Sequence, residues 1–398
     1  MRLLFAHDSR FKVDEKGRLF AGGSFSDVVF KRYLDVCDEL VVVGRCELIS
    51  SQDVEGYNPI TSKKITFIPM ENTNSVLGIF KRPLVQSKID EIVRDCNGII
   101  CRGSALGYMA AKAAERQGKP YLIEVVGCSF DALWNYGSLK GKIYAPYSFL
   151  KARKYIRSSQ YTLYVTSEFL QKRYPTNGQW ISCSNVALNV LDDRVLERRI
   201  SRIKSKKARE AIILGTIGAV DVKYKGQQYV IEALAKLKRK GLLNFQYHLV
   251  GDGDQRYLKS VARKHGVAEQ VKFFGKMTHN EVFEWLDGID VYVQPSRTEG
   301  LPRALVEAMS RGLPCLGSQV GGIPELLEEE FLFSNTRRNV DEIVGLLESF
   351  TRELMEKQAR RNFEESKKYD KAVLDNRRKW FLKRFCSEVN SKSLAVQE

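Results

Sequence analysis

Twice along the chain, short apolar or β-branched runs alternate with stretches of helical periodicity, and this doubled rhythm constrains the fold more than any other feature. RLLFAH opens the first series. FSDVVFKRYLDVC then reads as a helix with Val28, Val29, Tyr33 and Leu34 on one side, and ELVVVGR as a strand. KITFIPM, SKIDEIVRDC, GIICRG, SALGYMAAKAAERQG and PYLIEVV carry it on. The second series runs EAIILGTIG, QQYVIEALAKLKRKG, FQYHLVGDG, QRYLKSVARKHG, VKFFGKM, HNEVFEWLDG, DVYVQPS, RALVEAMSRG, PCLGSQVGG, the same order without the same residues. Strand and helix in turn predict an α/β class with parallel sheets covered by helices. A chain of 398 residues is long enough for two such units. Ligands of paired doubly wound units sit in the crevice at the C-terminal ends of the strands.

The expected division is a first domain over 1–190, a charged linker over 191–209, a second domain over 210–375 and a last helix over 376–398. The linker lies in LNVLDDRVLERRISRIKSKKARE, which reads as a helical or loose connector. No apolar run approaches the ~18 residues a membrane span needs. MRLLFAHDSRF turns polar too soon for a signal peptide, so it reads as a first strand and the expected location is the cytoplasm. The eight cysteines stand singly, with no zinc-ligand spacing, and are expected to be reduced and structural. With 64 basic against 48 acidic residues, the net charge of +16 points to anionic partners: nucleic acid, an anionic membrane face or phosphorylated small molecules.

The stretch TEGLPRALVEAMSRGLP holds two glutamates, Glu299 and Glu307, with seven residues between them. DVYVQPS before it is a buried strand, RTEGLP the turn at its C-terminal end, and Pro302 suits the start of a helix stopped by Gly312. Glu299 is therefore expected in the crevice loop, and Glu307 inside a helix whose apolar face carries Leu305, Ala308 and Met309. EGLPRALVEAMSRGLP resembles the signature of the retaining GT-B glycosyltransferases, most closely glycosyltransferase family 4 of the surface-polysaccharide type. The resemblance implies two Rossmann-like domains facing across a crevice, with the last helix crossing back to the first domain. It also implies transfer of a sugar from a nucleotide-diphosphate sugar, UDP-sugars being favoured, to a hydroxyl of a glycan or lipid-linked acceptor. Surface-polysaccharide biosynthesis is the implied setting.

The resemblance assigns roles residue by residue. Glu299 would contact the donor sugar and Glu307 the ribose hydroxyls, with the backbone of Gly300, Leu301 and Pro302 beside the diphosphate. In VDVKYKGQQYVIEAL, Lys225 matches the lysine that neutralises the leaving diphosphate. The family's arginine some five residues earlier is replaced by Val220, and Lys223 is the candidate substitute. Gly251 lies in the Gly-Asp-Gly turn, Lys276 and Phe274 would flank the base, and Gly22 and Gly23 would face the diphosphate from the opposite wall. IEVVGCSFDALWNYG lacks the family's histidine, which leaves His7, Asp131 and Trp134 as acceptor-side candidates. His248, His265 and His279 read as structural or exposed. Asp252 and Asp254 of LVGDGDQRYL belong to the turn that resembles the family's Gly-Asp-Gly turn, and no metal and no cofactor are expected.

Residues 139–160 mix Lys140, Lys142, Lys151, Arg153, Lys154 and Arg157 with aromatic and aliphatic residues, a pattern suited to peripheral contact with an anionic membrane at its inner face. In the closing KAVLDNRRKWFLKRFCSEV, Trp380, Phe381 and Phe385 read as packing residues. Two other readings stay open at this point. One is a sugar-nucleotide epimerase or hydrolase on the same double fold. The other is a basic nucleic-acid-binding protein, disfavoured because the glutamate pair serves no such purpose and no nucleic-acid motif is present.

Overall fold

The computed structural model describes residues 1–22, 25–73, 78, 80–186, 188, 191–207 and 209–395. The first half contains β1 (Arg2–Val13), β2 (Leu19–Ala21), α1 (Asp27–Leu34), β3 (Glu39–Leu48), β4 (Asn58–Ile60), β5 (Ile65–Met70), α2 (Arg82–Arg94), β6 (Gly98–Arg102), α3 (Ala105–Arg116), β7 (Tyr121–Val125), α4 (Ser129–Asn135), α5 (Leu139–Ser158), β8 (Tyr161–Tyr164), α6 (Phe169–Arg173) and β9 (Gln179–Ser182). The connecting helix α7 (Asp193–Ser205) leads to β10 (Ile212–Ile217), α8 (Gln227–Arg239), β11 (Phe245–Val250), α9 (Arg256–Lys264), β12 (Val271–Gly275), α10 (His279–Gly288), β13 (Val291–Gln294), α11 (Arg303–Ser310), β14 (Cys315–Ser318) and β15 (Leu332–Phe333). α12 (Asn339–Glu348), α13 (Arg352–Ser366) and α14 (Lys371–Ala395) end the chain.

The second sheet runs β12-β11-β10-β13-β14-β15, all parallel. This is the doubly wound order in which the chain starts in the middle, moves outward, then reverses. The first sheet follows the same rule through β5-β3-β1-β6-β7-β8-β9. It gains an annex that the alternation does not foretell: β2 runs antiparallel to the far end of β1, and β4 antiparallel to β2. The chain is thus two Rossmann-like sheets, each with its own buried core.

α1 departs in detail from its expected face. Val28 is 73% exposed, while Phe30 and Tyr33 are buried against the sheet. The charged connector forms α7, held to the second half by buried Arg199, which donates to Leu286 O, Ile289 O and Arg311 O. α14 crosses back: Phe381, Leu382, Phe385 and Val389 pack with Leu3 and Phe5 of β1. Trp380 is not a packing residue as expected. It is exposed, with the Arg384 guanidinium 5.0 Å from its ring centre. All eight cysteines are free thiols and only Cys46 is exposed. No described helix is long and apolar enough to cross a membrane.

Candidate active site

The second sheet reverses direction between β10 and β13, and the loops after these two strands build one wall of the crevice. After β10 a short 3-10 turn, Lys223–Lys225, ends at Gly226, whose φ is +76°. A Cβ on Gly226 would lie 1.8 Å from Pro295 O, so glycine is what lets this turn rest on the loop after β13. Arg297 N donates to Tyr224 O at 2.7 Å and ties the same two loops together. Lys225 Nζ is thereby 2.7 Å from Glu299 Oε1, with the two side chains 23% and 13% exposed. Glu299 Oε1 also accepts from Ser296 Oγ at 2.7 Å and Gln294 Nε2 at 3.2 Å, and Gln294 Oε1 accepts from the buried Tyr292 hydroxyl. Glu299 Oε2 accepts no hydrogen bond among the described residues.

α11 starts from Pro302, one position before its first helical residue, and buries Leu305, Val306, Ala308 and Met309. Glu307 lies between these buried residues, with a side chain only 16% exposed. Its carboxylate accepts no hydrogen bond among the described residues, and His279 Nε2 lies 3.9 Å from Oε1. Burial raises the Glu307 pKa above its ordinary value, while Arg303 and His279 pull it down. His279 is exposed as expected, but its place beside Glu307 was not foreseen.

The first half supplies the opposing wall. A Cβ on Gly300 would meet Val126 O at 2.2 Å, so this glycine marks where the halves touch. Asn135 Nδ2 donates across the crevice to Arg297 O at 3.2 Å. Leu301 packs against cores of both halves. Below it a cavity of about 200 Å³ is lined by Arg32, Arg102 and Arg303 with Val29, Val126, Val165, Asn185 and Leu301. His7, at the end of β1's parallel run with β6, stands with Nδ1 2.7 Å from Ser9 Oγ. Burial, Arg102 and Arg45 lower its pKa to about 3, so the ring is neutral at physiological pH.

The remaining candidates are spread wider. Asp131 is ion-paired with Arg173 at 2.8 Å, and half-exposed Trp134 stacks on Phe130. Gly22 faces Tyr57, and Gly23 lies outside the described residues. Gly251 is demanded by a close approach, since a Cβ there would meet Gly218 O at 2.0 Å. Lys223 is turned away from Glu299, with its ammonium 4.7 Å from the Tyr257 ring centre. Phe274 is half-exposed beside His248, and the exposed Lys276 reaches toward Gly56 of the first half. Gln294, Ser296, Arg297 and Asn135 were not singled out from the sequence. QPS after an apolar run was the available signal for the first two. Among the described residues, no group of three or more His, Cys, Asp or Glu side chains could hold a metal ion.

Comparison with known proteins sets this geometry beside relatives. Residues 197–369 match the family described as Glycosyl transferases group 1. Protein CapJ of Staphylococcus aureus is 31% identical over 375 residues, 92% of this chain and 90% of that protein. The amylovoran biosynthesis glycosyltransferase AmsK of Erwinia amylovora is 39% identical over 111 residues, 26% of this chain and 27% of that one. Among solved structures, Anabaena HepE in complex with UDP and glucose matches the fold with a TM-score of 0.62 at 16% identity, covering 95% of this chain and 98% of its own.

Proposed function

The chain belongs to the group 1 glycosyltransferases, and we propose that it is a retaining, metal-independent member of glycosyltransferase family 4 that uses a nucleotide-diphosphate sugar. The observation that carries this reading is the Lys225–Glu299 pair at the strand ends, beside a buried Glu307 whose hydrogen-bonding capacity is unused. A nucleotide sugar answers both features. Its diphosphate is the anion that Lys225 would hold, and vicinal ribose hydroxyls are the donors that Glu307 lacks. Glu299 keeps Oε2 for hydroxyls of the donor sugar, while Ser296 and Gln294 hold Oε1. Gly300, Leu301 and Pro302 would present backbone to the diphosphate, with Gly22, Gly23 and Gly251 at its margins and Phe274 and Lys276 toward the base. HepE, of the same fold, is known in complex with UDP and glucose, which favours a UDP-sugar donor.

In the proposed reaction the bond from the anomeric carbon to the donor phosphate oxygen breaks. A bond from the same face of that carbon to the acceptor oxygen forms. The acceptor proton passes to the departing phosphate oxygen, and the nucleoside diphosphate leaves. Lys225 stabilises the charge that grows on the phosphate. His7, with its low pKa, is unsuited to act as a base at neutral pH. The acceptor, a glycan or lipid-linked sugar hydroxyl, would enter from the first half near Asp131 and Trp134.

Kinship with an amylovoran biosynthesis glycosyltransferase supports a role in surface-polysaccharide biosynthesis. On α5 the exposed Leu139, Ile143, Tyr147 and Leu150 form a stripe flanked by basic residues, which supports contact of residues 139–160 with an anionic cytoplasmic membrane face. Titration calorimetry with UDP, GDP and ADP, with and without EDTA, tests the reading. We expect one diphosphate to bind irrespective of EDTA and to bind more weakly to Glu307→Ala. No binding to any of the three would overturn it.

A further inference from the structure

The cavity beneath Leu301 collects arginines from both halves. Arg32 comes from α1, Arg102 ends β6, and Arg303 opens α11. With Asn185 they form the polar part of a lining otherwise made of three valines and Leu301, and no carboxylate lines the space. Arg102 is braced from behind. Its Nε lies 3.7 Å from Glu124 Oε2 and its guanidinium 5.2 Å from the centre of the Phe25 ring, while the Tyr33 hydroxyl donates to Glu124 Oε1 at 2.7 Å. Arg32 Nη1 donates to Asn185 Oδ1 at 3.2 Å. Arg378 donates to the same oxygen at 3.3 Å, but has its own counterion in Asp375 at 3.6 Å. Among the described residues the Arg303 side chain makes no hydrogen bond and no ion pair within 4 Å. Glu307, one turn further along α11, is near enough for Arg303 to lower its pKa.

Two carboxylates outside the cavity, Glu124 and Glu307, thus stand against three cations that line it. One positive charge is left over, and one negative charge inside the cavity would balance it. A carboxylate carries that single charge and accepts two parallel N–H bonds from a guanidinium. A phosphate dianion would exceed the balance and leave the valine and leucine walls uncovered. A neutral sugar would cover those walls and leave the guanidiniums unanswered. The volume of about 200 Å³ is below the ~300 Å³ at which pockets for whole ligands begin, so it suits part of a substrate, on the scale of a sugar ring. A pyranose bearing a carboxylate meets both demands. Lys225, the residue proposed to hold the diphosphate, does not line this space, so the nucleotide does not account for the arginines.

We propose that the cavity is a subsite for the carboxylate of a sugar acid, held by Arg32, Arg102 and Arg303. Because Arg303 belongs to the second half and the other two to the first, the bound acid also bridges the halves. The inference rests on the glycosyltransferase reading and narrows its substrates: the transferred sugar or the acceptor sugar is a uronic acid.

Titration calorimetry on the full chain tests it in two arms. The donor arm compares UDP-glucuronate and UDP-galacturonate with UDP-glucose and UDP-galactose. The acceptor arm compares the methyl glycosides of the same sugars, with UDP present. In one arm an acid should bind at least about tenfold more tightly than its neutral counterpart, and that arm identifies which substrate carries the carboxylate. Arg32→Gln/Arg303→Gln should erase the preference, with UDP affinity within about twofold and the circular dichroism spectrum unchanged. Arg102 is left in place, since removing it would strand the buried Glu124. No preference for either acid in both arms, a preference that survives the double variant, or inorganic phosphate binding as tightly as the acids overturns the subsite. UDP binding without an acid preference sinks the subsite alone. Acid preference in the acceptor arm without any UDP binding leaves the subsite standing and sinks the nucleotide-sugar reading.

Discussion

Glu307 is a carboxylate set into a helix face whose neighbours are buried, and among the described residues none donates a hydrogen bond to it. Its folded pKa is raised above 4.5 by burial. The folded state therefore holds the proton more tightly than the unfolded chain does. The stability conferred by the protonated form is complete below the usual carboxylate range and is lost as pH rises through the raised value. Glu307→Gln cannot ionise, so it should melt at the same temperature as wild type at low pH and higher once pH exceeds the raised value. Each kcal/mol would read as about 2–4 °C. The same substitution should weaken UDP binding about tenfold by exchanging charged acceptors for neutral ones. A melting difference independent of pH would contradict this account. The Lys225–Glu299 pair makes a different prediction. Lys225→Ala removes the cation proposed to face the leaving phosphate and should lower kcat by about 10²–10³-fold, with Lys225→Arg recovering part of the loss. Steady-state rates at saturating donor distinguish this from weakened donor binding.

The loops after β10 and β13 behave as one element because Gly226 lets them touch. Gly226→Ala would place a methyl group 1.8 Å from Pro295 O at a φ of +76°, so the loops must separate. We expect a loss of about 1–3 kcal/mol in denaturant unfolding, together with a fall in kcat as Lys225 leaves Glu299. Unchanged kcat would show that the contact does not set the site. These two loops also show where sequence patterning reaches its limit. Strand and helix order foretold both doubly wound sheets, because burial on two faces writes apolar runs that one can count. The spacing of Glu299 and Glu307 foretold that both glutamates belong to one loop-and-helix unit. It did not reveal the hold of Gln294 and Ser296 on Glu299, since short polar residues after a strand look like any turn. The Asn135–Arg297 contact joins residues 162 positions apart, a distance no local pattern encodes. The antiparallel annex escaped because LFA and NPI are three residues each, too short for a period to register. Val28 and Trp380 were misassigned because a helix's apolar residues need not all lie on the buried side.

At the scale of the whole molecule, catalysis by two halves requires that their separation be controlled, and the contacts that control it are few. α14 ties the far side: its buried Phe381 and Phe385 make the C-terminal helix part of the first core. On the crevice side, Glu325 of the second half accepts from three backbone N–H groups of the first, Ser167 at 2.5 Å, Glu168 at 3.1 Å and Phe169 at 2.7 Å. These are free donors at the start of α6, and a carboxylate matches them in number and charge. The contact lies beside an open groove of about 860 Å³ between the halves. Glu325→Ala removes all three bonds, worth about 1.5–3 kcal/mol as a charge-assisted group. That is enough to shift an open–closed equilibrium by more than tenfold. Solution scattering of Glu325→Ala should therefore give a larger radius of gyration than wild type, with Glu325→Gln between them. UDP affinity should stay within about twofold, because Lys225 and Glu307, the main proposed holds on the nucleotide, both lie in the second half, while the KM for acceptor rises because it must meet both. Identical scattering curves would mean that α14 and the Gly300–Val126 contact hold the halves together without Glu325.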